Sequence, residues 1–233
     1  MRILFAGDWH SSIHEEACAN ALEQLGNEVV RFPWHQYFES GSTSSRAANL
    51  SMKAQNKYLA GPIVTQINRD LVKVAAQQEP DLVFVYRGTH VFPRSLELIR
   101  AHRPLARIVG YNNDDPFAPG YSRWQWRHFI DSIPEYDIVF AYRQRNLEDF
   151  RNAGAKATAL LMPWFSAEVH KSLDLTPDER LLYDTDVVFI GHYENDERVP
   201  FLRSIAQSGL RLRIFGPAEG WDKAIDAIPE FPS

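Results

Sequence analysis

Four short stretches of this chain carry groups that could handle protons, hydroxyls or phosphates, and each follows an apolar run. Asp8-Trp9-His10 comes after Ile3–Ala6, and Arg87-Gly88-Thr89-His90 after the run that ends at Tyr86. Asn112-Asn113-Asp114-Asp115 comes after Arg107–Tyr111, and Tyr142-Arg143 after Asp137–Ala141. In an open parallel sheet, the loops beyond the carboxyl ends of the strands converge on the ligand crevice. The spacing therefore predicts one shared cleft rimmed by Asp8, His10, Arg87, His90, Asn112, Asn113, Asp114 and Asp115. Asp114-Asp115 before Pro116 has a plain alternative as a turn or helix-capping cluster, because Asn and Asp before Pro are common turn formers.

Asp8-Trp9-His10 imitates the D-x-H opening of metal-dependent phosphoesterases, whose two metals need several more carboxylate, amide and His ligands. No Gly-Asn-His and no paired histidine follow Asp115, so no metal site and no cofactor are expected. His14 reads as an exposed residue in the first turn of a helix. No G-x-G-x-x-G, G-x-S-x-G or Walker sequence occurs. Further along, Gly191-His192-Tyr193 lies between a strand and a helix, with Arg198 on that helix's first turn. Backbone N–H groups at a positive helix end suit a diphosphate. Arg198 could clamp a phosphate oxygen or simply stand in solvent, and its position alone supports both.

The elements that must hold these groups alternate. Strands are expected at Ile3–Ala6, Glu28–Phe32, Asp81–Tyr86, Arg107–Tyr111, Asp137–Ala141 and Thr158–Leu161. Helices are expected at Ile13–Leu25, Pro93–His102, Trp124–Ser132 and Arg143–Ala153, with a longer helical pattern through Ile63, Ile67, Leu71 and Val74 that Pro62 starts or kinks. This rhythm predicts an α/β, Rossmann-like, doubly wound parallel sheet. The Ser-rich stretch Glu39–Asn49 reads as a mobile surface loop. Trp34, Trp124, Trp126, Trp164 and Trp221 could stack on sugars or bases, but scattered tryptophans read as packing, and Pro163-Trp164 best of all. A second unit opens at Asp186–Gly191 and repeats the layout of the first. The glycine after its strand and the glycine after its helix are 18 positions apart, against 19 between Gly7 and Gly26. The expected organisation is a first domain over 1–165, a linker over 166–184, and over 185–233 the start of a second Rossmann-like domain, too small to cover both faces of a sheet.

Composition narrows the partners. Twenty-five Lys and Arg against 30 Asp and Glu give a net charge of −5, which supplies no basic field for a nucleic-acid backbone. No run approaches the ~20 apolar residues of a membrane span, so no integral membrane segment is expected. The one cysteine, Cys18, shares a helical face with Ala21, Leu22 and Leu25 and reads as a small core residue. One cysteine allows no disulfide within the chain, which fits a reducing cytoplasm.

In order along the chain, "MRILFAGDWH", "PDLVFVYRGTHVFP", "YNNDDPF", "YDIVFAYRQRNLEDFRNAGA", "LLMPWF", "DVVFIGHYENDERVPFLRSI" and "LRIFGPAEGW" resemble the CgeB-like glycosyltransferases of the GT-B type. The resemblance implies an acceptor domain and a nucleotide-sugar domain facing each other across a cleft, with no obligatory metal. Its partners would be a nucleotide-sugar donor and an acceptor. On this reading Asp114 and Asp115 are expected to position an acceptor hydroxyl, one of them as general base, His10 and His90 to touch sugar or acceptor, and Gly191, His192, Tyr193 and Arg198 to meet the diphosphate. The sequence ends at Ser233, before the rest of the donor domain that the resemblance implies. The rival expectation is a non-catalytic ligand-binding or partner module built on the acceptor half.

Overall fold

The computed structural model describes residues 1–39, 45–120, 122–167, 169–217 and 220–222. The chain divides into two compact units, Met1–His170 and Lys171–Ser233. The first runs β1 (Arg2–Gly7), α1 (Ala17–Gln24), β2 (Glu28–Pro33), α2 (Arg46–Tyr58), α3 (Pro62–Gln78), β3 (Leu82–Tyr86), α4 (Pro93–His102), β4 (Arg107–Asn112), α5 (Arg123–Ser132), β5 (Ile138–Ala141), α6 (Asn146–Asn152) and β6 (Thr158–Leu160). Its six strands are all parallel, in the order β2-β1-β3-β4-β5-β6.

Alternation within the strands builds two cores. Ile3, Phe5, Phe84, Tyr86, Val109 and Tyr111 point to one face, where Ala19, Cys18 and Leu22 of α1 meet them. Leu4, Ala6, Val83, Val85, Ile108 and Val139 point to the other, against Ile67 and Leu71 of α3 and Leu96 and Ile99 of α4. Each fully buried Leu, Ile or Phe contributes about 1.5–3 kcal/mol, so the sheet holds its strand ends firmly. Gly110 has a packing reason: a Cβ there would lie 3.0 Å from the ring of buried Tyr136. Because β2 lies on one side of β1 and β3 on the other, the order reverses between β1 and β3. That is where open α/β sheets bind ligands.

Pro62 and Pro93 stand at the first turns of α3 and α4, where a missing N–H costs nothing. The helix expected over Ile13–Leu25 opens instead as a π-turn, Ser12–Glu16, and Leu25 lies past its end, 78% exposed. Within the stretch expected as a loop, α2 begins at Arg46, and Ser45 caps it by accepting from the Ala48 N–H at 3.2 Å. Residues 40–44 of that stretch lie outside the described residues.

The second unit contains α7 (Pro177–Tyr183), β7 (Val187–Ile190), α8 (Arg198–Gln207) and β8 (Leu212–Phe215). The segment expected as linker thus holds a helix, closed by a Thr176/Glu179 capping box. β7 and β8 pair in parallel, Val187 opposite Leu212. Leu202, Leu212 and Trp221 form a small core under Val187 and Phe189, while Val188 and Ile190 on the other face are exposed. Among the described residues, no helix is long and apolar enough to cross a membrane.

Candidate functional site at the carboxyl end of the sheet

Two non-glycine residues hold left-handed backbone at the mouths of the strands flanking the switch point: Trp9 after β1 (φ 59°) and Arg87 after β3 (φ 62°). Such conformations cost about 1–2 kcal/mol and concentrate where function demands them. Arg87 is held there by its N–H donating to the Tyr111 carbonyl at 2.7 Å. Trp9 is held by its N–H donating to the Glu15 carboxylate at 3.2 Å and its indole N–H donating to Glu16 at 2.7 Å.

A cavity of about 320 Å³ opens at this end of the sheet, lined by Ile13, His14, Tyr86, Tyr111, Asn113, Tyr142, Arg143, Pro163, Trp164, Phe165 and His170. Tyr86 ends β3, Tyr111 faces it across the ladder on β4, and Tyr142 follows β5. Trp164 lies against Tyr111 and Tyr86 at ring distances of 5.3 and 6.0 Å, and its indole N–H donates to the carbonyls of Ile13 and His14, 3.2 Å each. Burial pushes the Tyr86 and Tyr111 hydroxyls well above the usual phenol range, so both remain neutral donors. Glu15, 3% exposed, sits behind Gly7, and its burial raises its carboxyl above the usual range.

A second cavity of about 220 Å³ is lined by Lys57, Leu59, Arg87, Thr89, Asp114, Trp124, Gln125 and Trp126. Here Arg87 pairs with Asp114 at 2.8 Å and its guanidinium covers the Trp126 ring at 5.2 Å.

The Asn112–Asp115 turn distributes its four side chains to different tasks. Asn112 is fully buried, and its Oδ1 accepts from the Asp114 N–H at 2.9 Å, an Asx turn. Asn113 lines the first cavity and Asp114 the second. Asp115 is buried at 6% exposure. It accepts from Asn146 Nδ2 at 2.7 Å and the Phe117 N–H at 3.1 Å, and it pairs with Arg145.

Of the other residues expected at the site in the first unit, Asp8, His10 and His90 line neither cavity. Asp8 meets His35 through its carbonyl, and His10 is exposed. His90 is inside the first unit, 5% exposed, between Trp34 and Phe38, with Asn56 Oδ1 at 2.9 Å and Thr89 Oγ1 at 3.0 Å from its ring nitrogens. Burial, then His128 and Arg87, push its imidazole down to about 4. In the second unit, Arg198 is engaged by Asp196 at 2.8 Å, Glu194 at 2.9 Å and the His192 carbonyl at 2.8 Å, and His192 pairs with Glu194 at 2.7 Å. The Gly191 carbonyl accepts from the Trp221 indole at 3.0 Å, against which Tyr193 also packs. Among the described residues, no three His, Cys, Asp or Glu side chains cluster as a metal site.

Glu15, Tyr86, Tyr111 and His170 carried no functional expectation, while His14, expected as an exposed first-turn residue, and Trp164, expected as packing, both line the first cavity. A signal for part of this set was present, since three successive strands carry a tyrosine at or beside their carboxyl end, followed by a polar residue: Tyr86-Arg87, Tyr111-Asn112 and Tyr142-Arg143.

Fold and site together define an α/β, Rossmann-like protein with a tyrosine-lined cavity at the carboxyl end of its first sheet. No family model and no curated protein matches the chain. Among solved structures it is similar to HepE from Anabaena, determined with UDP and glucose (TM-score 0.58, 14% identity over 99% of this chain and 65% of HepE). It is also similar to a Listeria monocytogenes protein assigned as a UDP-N-acetylglucosamine 2-epimerase (TM-score 0.58, 12% identity over 100% of this chain and 67% of that one). At such identities the likeness is one of fold alone, an α/β, Rossmann-like fold, and the chain spans about two-thirds of the length of these proteins.

Proposed function

We propose that this chain is part of a GT-B glycosyltransferase similar to the CgeB-like enzymes, moving a sugar from a nucleoside diphosphate to an acceptor hydroxyl. Residues 1–165 form the acceptor side, 166–184 the connection, and 185–233 the opening of the nucleotide-sugar side. In the transfer, the acceptor oxygen bonds to the anomeric carbon, the bond from that carbon to the diphosphate breaks, and the hydroxyl proton passes to a base or to water. The observation that carries the reading is the cavity at the carboxyl end of the sheet, whose Tyr86, Tyr111, Tyr142 and Trp164 offer ring faces and hydroxyls suited to a sugar-like ligand. Of the two aspartates, Asp115 already serves Asn146, Phe117 and Arg145, and Asp114 lines the second cavity paired with Arg87, so neither lines the tyrosine cavity. The turn Gly191-His192-Tyr193 is the diphosphate candidate. For Arg198 to join it, phosphate oxygens must replace the carboxylates of Glu194 and Asp196.

Thermal unfolding with UDP, GDP and their sugar conjugates tests the reading, followed by release of nucleoside diphosphate from whichever conjugate binds. A ligand at one hundred times its Kd adds about 2.7 kcal/mol, a rise of roughly 5–10 °C for a chain of this size. Arg198→Gln should weaken that nucleotide roughly 10-fold or more if its guanidinium makes the exchange. Unchanged affinity removes Arg198 from the site. Absence of any nucleotide response, with small molecules still entering the first cavity, leaves the binding module as the better description.

A further inference from the structure

Three arginines stand at the carboxyl end of the first sheet, and two of them have carboxylates. Arg87 pairs with Asp114 at 2.8 Å, and Arg145 pairs with Asp115. The third, Arg143, has no carboxylate partner among the described residues. Its guanidinium stacks on Tyr142 at 4.8 Å and makes one long hydrogen bond, 3.4 Å, to the Asn113 carbonyl. It is half-buried and lines the tyrosine cavity, where no described carboxylate joins it. A planar, always-charged guanidinium is matched by a carboxylate or phosphate, which it can bind through two parallel hydrogen bonds.

The rest of the lining suits a ring with hydroxyls. Trp164 lies against Tyr86 and Tyr111, and its orientation is fixed by its bonds to the Ile13 and His14 carbonyls. The buried Tyr86 hydroxyl and Asn113 Oδ1 have no hydrogen-bond partner among the described residues. His170 Nδ1 accepts from the Ser166 N–H at 3.0 Å, which leaves Nε2–H of the neutral ring as a donor. The volume of about 320 Å³ is at the small end of ligand sites, which run from ~300 to ~1,000 Å³.

We infer that this cavity takes an anionic acceptor: a ring-bearing molecule, sugar or aromatic, whose carboxylate or phosphate sits on Arg143 while its ring lies against the aromatic lining that Trp164 and Tyr86 share. The word acceptor rests on the transferase reading, whereas the anion subsite rests on Arg143 alone.

The indole N–H resonance of Trp164, identified by its loss in Trp164→Phe, reports occupancy without any donor present. D-Glucuronate and glucose 6-phosphate should shift it at least 10-fold more tightly than glucose, and inorganic phosphate should bind more weakly than either. Arg143→Gln should weaken both acids roughly 10- to 100-fold, the equivalent of a lost charge-assisted hydrogen-bond pair, and Arg143→Lys should keep part of the advantage. Glucose binding as tightly as glucuronate, phosphate alone binding as tightly as the sugar acids, or Arg143→Gln leaving the acids untouched overturns the inference. UDP displacing glucuronate from the site in an Arg143-dependent manner overturns it in favour of the donor's diphosphate as the anion. Anion binding without sugar transfer from any nucleotide sugar sinks the transferase reading and leaves the subsite standing. Sugar transfer with no anion preference does the opposite.

Discussion

Asp114 and Asp115 are adjacent and chemically identical, and the structure gives them different loads, so replacing each by alanine should separate them sharply. Asp115 is 6% exposed and holds Asn146 Nδ2 at 2.7 Å, the Phe117 N–H at 3.1 Å and the Arg145 guanidinium. A buried hydrogen bond to a charged group is worth about 1.5–3 kcal/mol and a neutral one about 1. The Arg145 side chain is 66% exposed, so that ion pair adds only about 0–1 kcal/mol after screening. Asn146 keeps a second acceptor, Asp149 Oδ2 at 3.1 Å, when Asp115 is removed. Asp115→Ala should therefore cost about 3 kcal/mol, a fall in Tm of roughly 6–12 °C. Asp114→Ala loses one half-exposed pair with Arg87 and should cost about 0–1 kcal/mol. Urea unfolding of both variants, followed by fluorescence, measures the two values directly. A loss at Asp114 equal to or larger than that at Asp115 would refute the division of labour between the two aspartates.

Two further outcomes follow from burial. His90 has its folded imidazole pushed down to about 4 from an ordinary 6.5, so between those values the unfolded chain binds the extra proton and stability must rise with pH. Urea midpoints should climb from pH 4 to pH 6.5 by the equivalent of up to about 3 kcal/mol, and His90→Gln should remove most of that slope. Glu15 is shifted the other way: burial raises its carboxyl, so stability falls as pH rises from ~4.5 through the raised value and is flat above it. Glu15→Gln, which keeps an oxygen for the Trp9 N–H, should raise Tm at pH 8 and show no gain below pH ~4.5. A variant less stable at pH 8 would show instead that the carboxylate is a net support of the β1 mouth.

The strands were readable because short continuous apolar runs bounded by turn residues and alternating with helical patterns fit a parallel sheet buried on both faces. Pro93 marked a helix start to the residue, and Pro62, open between a start and a kink, begins α3. Composition misled at α2, where a single Ser45 cap outweighs the Ser-rich stretch before it. Individual side chains at the site were harder to read. His90 stands two residues after Gly88, in a loop that does end a strand, yet the left-handed turn at Arg87 and Gly88 (φ 62° and 58°) redirects the chain and sends the imidazole inward against Trp34. Asp115 is turned toward Asn146 by the Asx turn at Asn112. Neither redirection follows from residue type, because each depends on backbone bonds to a neighbouring strand or helix.

The strained turns explain how one sheet end can serve two cavities. Gly88 is close enough to Tyr136 that a Cβ would lie 3.0 Å from its hydroxyl, so the chain must bend at Arg87 as soon as β3 ends. With the Arg87 N–H tied to the Tyr111 carbonyl, its guanidinium lies over Trp126 and beside Asp114. Tyr86, one residue earlier, remains on the opposite face with Tyr111 and Trp164. The same separation occurs one strand over, where Asn113 lines the first cavity and Asp114 the second. A left-handed arginine costs about 1–2 kcal/mol, and what it secures is a neutralised cation on one side and an aromatic floor on the other. Arg143, after β5, has no such neutralising carboxylate among the described residues. The tyrosine cavity is therefore the side of the sheet where a negatively charged ligand completes the electrostatics, and the Arg87–Asp114 side is already complete without one.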